Sequence, residues 1–395
     1  MKAHPSIWFS VILACLFGCF LISLWHNPEA QSPLFFRQTA DYRADYRNVL
    51  KYAGNNDPYF HDTPAPYSSS ARAERVAPPF VFMIAYQIDK LLHKAKSLPP
   101  DFYHLVESLW MLYCVLFLFA GLSGGCKAPY AHFLVFTLFL SSIFMFALER
   151  GNIILLSAGC TTFFIFNYNH KNKWIREFSF LALACAAAIK MTPAVLGLLL
   201  LEERRYKEAV RLVIYGILFF FLPFLTVQGG FGILPTWLSY LRLNTIVYDW
   251  IPIVRFNFRY WLSGVDTGWW VYHVFYFCGT IVGLSIAIVA LFTNRLLAHQ
   301  WQRVLQLVLL FAVLPSNSGE YTALYLFAPI VLFFNQSSFD KRDIFFFICF
   351  ILVLNPFYIP GFTPGAMNLA ASAMLLVLTF QSGKQSGTPA VTALK

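Results

Sequence analysis

The segment Arg37–Tyr59, RQTADYRADYRNVLKYAGNNDPY, follows the first apolar run of the chain and is its most polar stretch outside the termini. It contains two aspartates four residues apart, Asp41 and Asp45. Charged groups beside a membrane are costly to retain unless something uses them. We therefore expect this segment to carry acid–base chemistry on a chain that is otherwise mostly apolar.

The composition defines the structural class. Of 395 residues, 58% are hydrophobic and 12% are charged, whereas a soluble domain carries about a quarter charged residues. The net charge of +10 indicates the Lys/Arg excess of cytoplasmic loops rather than a nucleic-acid partner. The eight cysteines include no CxxC pair, which argues against a disulfide framework or a zinc site. The chain is predicted to be an all-α polytopic membrane protein.

Apolar runs of about 20 residues are long enough to cross a bilayer. Two shorter runs, 79–92 and 304–315, are also expected to cross, so about ten to twelve transmembrane helices are predicted. We expect one membrane domain over 1–380 and a disordered polar tail over 381–395. The clear runs are 6–25, 104–124, 132–148, 153–168, 178–201, 210–228, 270–293, 321–334, 344–360 and 366–381.

Two long connections, 26–78 and 229–268, are predicted to lie outside, because basic clusters such as Glu202–Lys207 mark the inner side. Loops of this length are usually functional. In the first loop, Thr39 is a suitable N-cap for a helix that ends at Gly54. That helix would place Asp41 and Asp45 on one face. Alternatively, the two aspartates belong to an exposed helix with ordinary i,i+4 ion pairs.

Two polar interruptions between or within apolar runs are further candidates. Glu149-Arg150-Gly151-Asn152 implies buried partners or a water-filled cavity; a tight interhelical turn is the alternative. Lys190-Met191-Thr192-Pro193 breaks the run 178–201, and an ammonium at a helix break suits a phosphate. Alternatively, two short helices meet there and Lys190 extends to the membrane surface.

Three weaker candidates follow in the second half of the chain. Arg255 and Arg259 could meet the phosphate of a lipid substrate or ordinary lipid headgroups. Glu320, followed by Tyr321, is a second candidate carboxylate at a polar break between two apolar runs.

Several of these blocks resemble a known family. Asp41-Tyr42, Gly54, Asp57-Pro58-Tyr59 and Ala77-Pro78-Pro79-Phe80 resemble the first outer loop of integral membrane glycosyltransferases of the C superfamily, and of glycosyltransferase family 87 in particular. Glu149-Arg-Gly-Asn152 is similar to that family's Gly-Gln-x-Asn-Leu-Leu turn. Ala187-Ala188-Ile189-Lys190-Met-Thr-Pro193 is similar to its Ala-Ala-x-Lys-x-x-Pro helix.

The resemblance implies an inverting hexosyltransferase of a bacterial cytoplasmic membrane, with its active site facing the periplasm. The implied donor is a polyprenyl-phosphate sugar, most simply mannose, and the acceptor is a lipid or glycan. Asp41 would be the catalytic base. A cofactor is not required, although the Asp41/Asp45 pair leaves room for a divalent cation.

We assign the remaining roles on that basis. Lys190 and Arg150, with Arg255 and Arg259 in reserve, would hold the donor phosphate. The candidates for contacts with the sugar or acceptor are Asp45, Glu149, Asn152, Glu320 and Tyr321. The alternatives from other classes are a multi-span transporter of a lipid-linked or small polar substrate and a non-catalytic assembly subunit.

Overall fold

The computed structural model describes residues 4–26, 44–53, 58–59, 75, 77–94, 100–248, 269–313, 320–336, 339–355 and 364–386. Within these residues every regular element is helical, and none is a strand. The prediction of an all-α polytopic membrane protein is confirmed.

The helices follow the predicted apolar runs closely. In the described parts of the chain, four short 3₁₀ helices extend or connect them: Thr192–Gly197, Leu222–Thr226, Gly230–Ile233 and Glu320–Leu326. The α-helices are α1 (Pro5–His26), α2 (Ala44–Ala53), α3 (Pro79–Lys94), α4 (Pro100–Gly125), α5 (Ala131–Leu138), α6 (Ser142–Glu149), α7 (Ile154–Asn167), α8 (Lys173–Ile189), α9 (Leu198–Glu202), α10 (Tyr206–Phe221), α11 (Leu234–Tyr248), α12 (Trp269–Asn294), α13 (Gln300–Val313), α14 (Phe327–Phe334), α15 (Asp343–Leu354) and α16 (Pro364–Ser386).

Among the described residues, three segments are long and apolar enough to cross a membrane by themselves, namely Pro5–Ile22, Leu105–Gly125 and Tyr206–Thr226. The helices α5 and α6 form a fourth span if their bent pair is counted as one. Shorter apolar helices of 10–17 residues lie elsewhere in the described parts of the chain. The predicted number of ten to twelve spans therefore stays a prediction.

Three predicted boundaries differ from the structure. The run 132–148 is divided into α5 and α6, which are bent by 58°. The predicted outer loop 229–268 contains α11, which is not a continuous apolar run because polar residues such as Arg242 and Asn244 interrupt it. The last helix extends to Ser386, six residues into the segment predicted as tail.

The chain divides into two compact units, which we describe separately. The terminal unit comprises Met1–Arg37, Gly125–Phe144 and Pro252–Lys395. Its buried core is rich in phenylalanine, and Trp301 makes edge-to-face contacts with Phe333 and Phe346 at ring-centre distances of 5.0 and 4.9 Å. The site unit comprises Gln38–Gly124 and Met145–Ile251.

In the site unit, α7 and α8 form an antiparallel hairpin against which α10 packs. The Ser157 hydroxyl, in the first turn of α7, donates to the Ala186 carbonyl near the end of α8 at 3.1 Å. The start of α7 therefore lies beside the end of α8. The helices α2 and α3 pack against the 3₁₀ helix Leu222–Thr226 and against α11, which both follow α10 in the chain. Ala53, Phe82, Phe224 and Trp237 are members of this buried cluster.

Candidate active site

The turn at 149–152 ends α6 in a specific backbone geometry. The Asn152 N–H donates to the Ala147 carbonyl at 3.0 Å, and the Gly151 N–H donates to the Leu148 carbonyl at 3.0 Å. These two bonds form a Schellman motif, in which the residue after the C-cap takes a left-handed conformation. Gly151 has φ 61°, so glycine is favoured there because it has no Cβ.

Asn152, at the end of this turn, bonds in two directions. Its side-chain oxygen accepts from the Ile154 N–H at 2.9 Å, which satisfies a free backbone donor at the start of α7. Its Nδ2 donates to Asp45 Oδ2 at 2.6 Å. With 4% of its surface exposed, Asn152 connects the start of α7 to the first-loop helix α2.

Asp45 lies in the first turn of α2, where the helix dipole favours a negative charge. Arg150 binds its carboxylate with both ends of the guanidinium: Nε donates to Oδ2 at 3.0 Å and Nη2 donates to Oδ1 at 2.7 Å. The Asp45 N–H also donates to the Arg150 carbonyl at 3.2 Å. The two side chains are only 20% and 25% exposed, so the pair is partly shielded from water.

These bonds limit what Asp45 and Arg150 are free to do. Both carboxylate oxygens of Asp45 accept hydrogen bonds, which leaves that group poorly placed to take a proton from a substrate. The guanidinium of Arg150 faces a carboxylate and also lies over the Phe146 ring, 5.9 Å from its centre. The arrangement suits a fixed support for α2, and the predicted roles of Arg150 at a phosphate and of Asp45 at a sugar stay predictions.

Lys190 follows α8 at the predicted helix break. Its backbone is extended, with φ −136° and ψ 117°, although its N–H still donates to the Ala186 carbonyl at 2.9 Å. A 3₁₀ helix with Pro193 near its start then leads into the short helix α9. The predicted helix break is confirmed. Lys190 is the residue at the break, and its side chain is half-buried.

Lys190 and the Asp45–Arg150–Asn152 group lie at the same end of the α7–α8 hairpin. Asn152 stands two residues before α7, and Lys190 immediately follows α8. The hydrogen bond from Ser157 to Ala186 aligns these two helix ends. The structure thus brings together, at one end of one unit, residues from three separate parts of the sequence.

Four other described residues of the first loop, Pro58, Tyr59, Arg75 and Ala77, form hydrogen bonds with one another and with the second loop, and the sequence analysis did not assign them to the site. The Tyr59 hydroxyl donates to the Ala77 carbonyl at 2.6 Å, and the Tyr240 hydroxyl donates to the Tyr59 carbonyl at 3.1 Å. Buried Arg75 donates through Nη1 to the Pro58 carbonyl at 2.8 Å. Burial raises the pKa of the Tyr59 hydroxyl well above its usual value, so it remains a donor. In the sequence, Pro58, Tyr59 and Ala77 belong to the blocks that resemble the first outer loop of a known family, whereas no signal marks Arg75 or Tyr240.

The structure describes the other predicted site residues only in part. Asp41, Arg255 and Arg259 lie outside the described residues. Glu149, the last residue of α6, is half-buried in the site unit. In the terminal unit, Glu320 begins a 3₁₀ helix, its side chain is outside the described part of the structure, and Tyr321 is half-buried. Their proposed contacts stay predictions.

No cluster of three or more His, Cys, Asp or Glu side chains that could hold a metal ion occurs among the described residues. Asp41 is not among them, so the Asp41/Asp45 pair is not covered by this finding. That a cofactor is not required, and that a divalent cation has room at this pair, both stay predictions.

Comparison with known proteins identifies the family. The model of glycosyltransferase family 87 matches residues 100–316, which include Arg150, Asn152 and Lys190. A search of the curated proteins found no match, and a search of the solved structures also found none. Because the family match covers more than half of the 395 residues, this chain belongs to glycosyltransferase family 87.

Proposed function

We propose that this membrane glycosyltransferase moves mannose from a polyprenyl-phosphate donor to a hydroxyl group of a lipid or glycan acceptor. The reaction takes place on the outer face of a bacterial cytoplasmic membrane, with the active site toward the periplasm. Nucleotide sugars are not expected on that side, whereas a lipid-linked sugar reaches it within the bilayer. The proposal therefore accounts for a sugar-transferring site built into membrane helices.

The proposed chemistry is a single displacement with inversion. The Asp41 carboxylate takes the proton of the acceptor hydroxyl, and the oxygen attacks the anomeric carbon of mannose. The bond between that carbon and the phosphate oxygen breaks as the new glycosidic bond forms. The electron pair of the broken bond remains with the polyprenyl phosphate, which leaves with one more negative charge.

Lys190 stabilises that additional charge. An ammonium close to the departing phosphate lowers the energy of a transition state in which negative charge grows on the phosphate oxygens. Arg255 and Arg259 are the reserve cations for this role, and Arg150 reaches the phosphate only if it shares its charge with Asp45. Because the lipid phosphate already leaves as a stable anion, a metal ion is not required.

In the proposed reaction Asp45 is a positioning residue, because its carboxylate binds Arg150 and Asn152. It lies four residues after Asp41 in the sequence. Its bonds to Arg150 and Asn152 hold the start of α2, and thereby restrict where Asp41 can lie. Glu149, Asn152, Glu320 and Tyr321 remain the candidates for contacts with sugar or acceptor hydroxyls.

One observation carries the proposal most strongly. The first-loop helix that follows Asp41 is bonded to the 150–152 turn, and this turn is at the same end of the α7–α8 hairpin as Lys190. A carboxylate-bearing loop and a cation at a helix break are the two parts that transfer from a lipid phosphate needs. The family membership supports glycosyl transfer over the transporter and assembly-subunit alternatives.

The test is a reconstitution of the full chain in liposomes that contain a total bacterial lipid extract as the source of acceptors. Radiolabelled polyprenyl-phosphate mannose should transfer its label to a new product and release polyprenyl phosphate. Matched liposomes receive polyprenyl-phosphate glucose or GDP-mannose at the same concentration. Transfer from GDP-mannose alone would refute the donor class, and equal transfer of glucose would refute the choice of mannose.

A further inference from the structure

The end of the site unit opposite the Asp45–Arg150 pair carries two kinds of basic side chain. The segments 171–177 and 202–211 meet there and contain seven basic and four acidic residues. Three of the arginines are neutralised by glutamates. These ion pairs are Arg176–Glu208 at 3.2 Å, Arg205–Glu203 at 3.3 Å, Arg205–Glu208 and Arg211–Glu177 at 2.6 Å.

The four remaining cations point to solvent. We call Lys171, Lys173, Arg204 and Lys207 the basic rim. All four are exposed, and no ion pair among the described residues involves any of them. The basic rim is therefore an uncompensated positive surface beside a neutralised network.

The backbone at Arg204 separates the two kinds of arginine. The Arg205 N–H donates to the Leu200 carbonyl at 2.8 Å, and the Arg204 N–H donates to the Leu201 carbonyl at 3.0 Å. This is again a Schellman motif, but its left-handed position, with φ 57°, is occupied by arginine rather than glycine. The turn directs Arg205 onto the Tyr168 carbonyl, 2.9 Å from Nη2, while Arg204 faces outward.

The residues next to the basic rim have the order found at a membrane surface. Trp174 at the start of α8 and Tyr206 at the start of α10 are 72% and 60% exposed. One helical turn further along, Phe178 and Val210 are each 58% exposed. Exposed aliphatic and aromatic side chains face hydrocarbon in a membrane protein, and Trp and Tyr prefer the interface. In a bilayer, this order of side chains would place the basic rim beside the lipid phosphates.

We propose that the basic rim binds the headgroups of anionic phospholipids. The four cations match the negative charge of these headgroups, and the apolar surface adjoining them continues into the part of the helices that contacts acyl chains. Each Lys or Arg near an anionic membrane surface strengthens attraction by about fivefold. This inference does not depend on the proposed donor or on the transfer reaction.

The experiment compares the full chain with two quadruple variants in detergent micelles. The first, K171Q/K173Q/R204Q/K207Q, removes the four charges, and the second, K171R/K173R/R204K/K207R, keeps them. Bound lipid is counted by native mass spectrometry during titration with phosphatidylglycerol, phosphatidylcholine or inorganic phosphate. The wild type and the charge-keeping variant should prefer phosphatidylglycerol, and the glutamine variant should bind it at least about tenfold more weakly.

Several results would overturn the proposal. These are unchanged phosphatidylglycerol affinity in the glutamine variant, an equal loss in the charge-keeping variant, or equally tight binding of phosphatidylcholine to the wild type. A separate measurement on the wild type needs no variant. Raising the ionic strength from about 0.1 M to about 1 M shortens the Debye length from about 10 Å to about 3 Å, so the preference of the wild type should weaken, and an unchanged preference would contradict an electrostatic site.

Discussion

The guanidinium of Arg150 donates two hydrogen bonds, of 3.0 and 2.7 Å, to the carboxylate of Asp45. This pair joins the helix of the first loop to the turn between α6 and α7, across 105 residues of sequence. Hydrogen bonds to charged groups contribute about 1.5–3 kcal/mol each. The position of α2 therefore depends strongly on one ion pair and on Asn152 beside it.

We expect Asp45→Leu and Arg150→Met each to release α2 from the turn. Either change leaves a partly buried charge without its partner, and the second change then adds little further damage. The double variant should show a coupling energy of about 0.5–3 kcal/mol in a double-mutant cycle. Hydrogen exchange of residues 44–53 measures the release directly. Strictly additive effects on exchange would show that the two side chains do not act together.

Gly151→Ala is expected to destabilise the turn by about 1–2 kcal/mol, because an L side chain resists the left-handed conformation. Gly216→Ala is the matched control. Gly216 lies within α10, where an added Cβ meets nothing within 4 Å, so this change should be neutral or slightly stabilising. Thermal unfolding in detergent compares the two variants. Equal melting temperatures would contradict the structural need for glycine at 151.

Tyr59→Ala should lower the free energy of unfolding by about 3–5 kcal/mol, because a fully buried aromatic ring between the two long loops is lost. Tyr59→Phe keeps the ring and removes only the hydroxyl bond to Ala77, so it should cost about 0.5–1.5 kcal/mol. Chemical denaturation in detergent gives both values. If both variants unfold like the wild type, Tyr59 does not anchor the first loop.

Lys190→Ala should raise the KM for polyprenyl-phosphate mannose by about tenfold or more, since a charge-assisted bond to phosphate is lost. Lys190→Arg keeps the charge and should retain most of the affinity. Lys127→Ala, an exposed change in the terminal unit, controls for general loss of positive charge. Steady-state kinetics in liposomes give the KM of each variant. An unaltered KM in Lys190→Ala would show that this residue does not bind the donor phosphate.

Much of the fold follows from hydrophobic runs and breakers in the sequence. The helix break at Lys190–Pro193 and the end of α2 before Gly54 were both predicted from local chemistry, because proline and glycine act on their own backbone. The pairing of Asp45 with Arg150 was not predicted. It joins residues far apart in sequence, and the charges of a single chain do not specify which partners meet.

Helix α11 shows a second reason for an incomplete prediction. Apolar runs identify helices that must cross hydrocarbon, whereas α11 packs Trp237 and Tyr240 against the first loop and needs no such run. Residues 149–152 illustrate a different outcome. Their sequence is compatible with a tight turn or with a buried polar site, and the structure gives them both properties, because the turn itself directs Asn152 and Arg150 onto Asp45.

The proposal that Asp41 is the catalytic base is tested most directly by single-turnover transfer from polyprenyl-phosphate mannose in liposomes that contain Asp41→Asn. The variant keeps the size of the side chain and should retain the wild-type melting temperature and slow hydrogen exchange in α2. Since general base catalysis contributes about 10²–10⁴-fold, we predict that transfer falls by at least about a hundredfold while the donor still binds. Transfer at the wild-type rate by a folded Asp41→Asn protein would contradict the account.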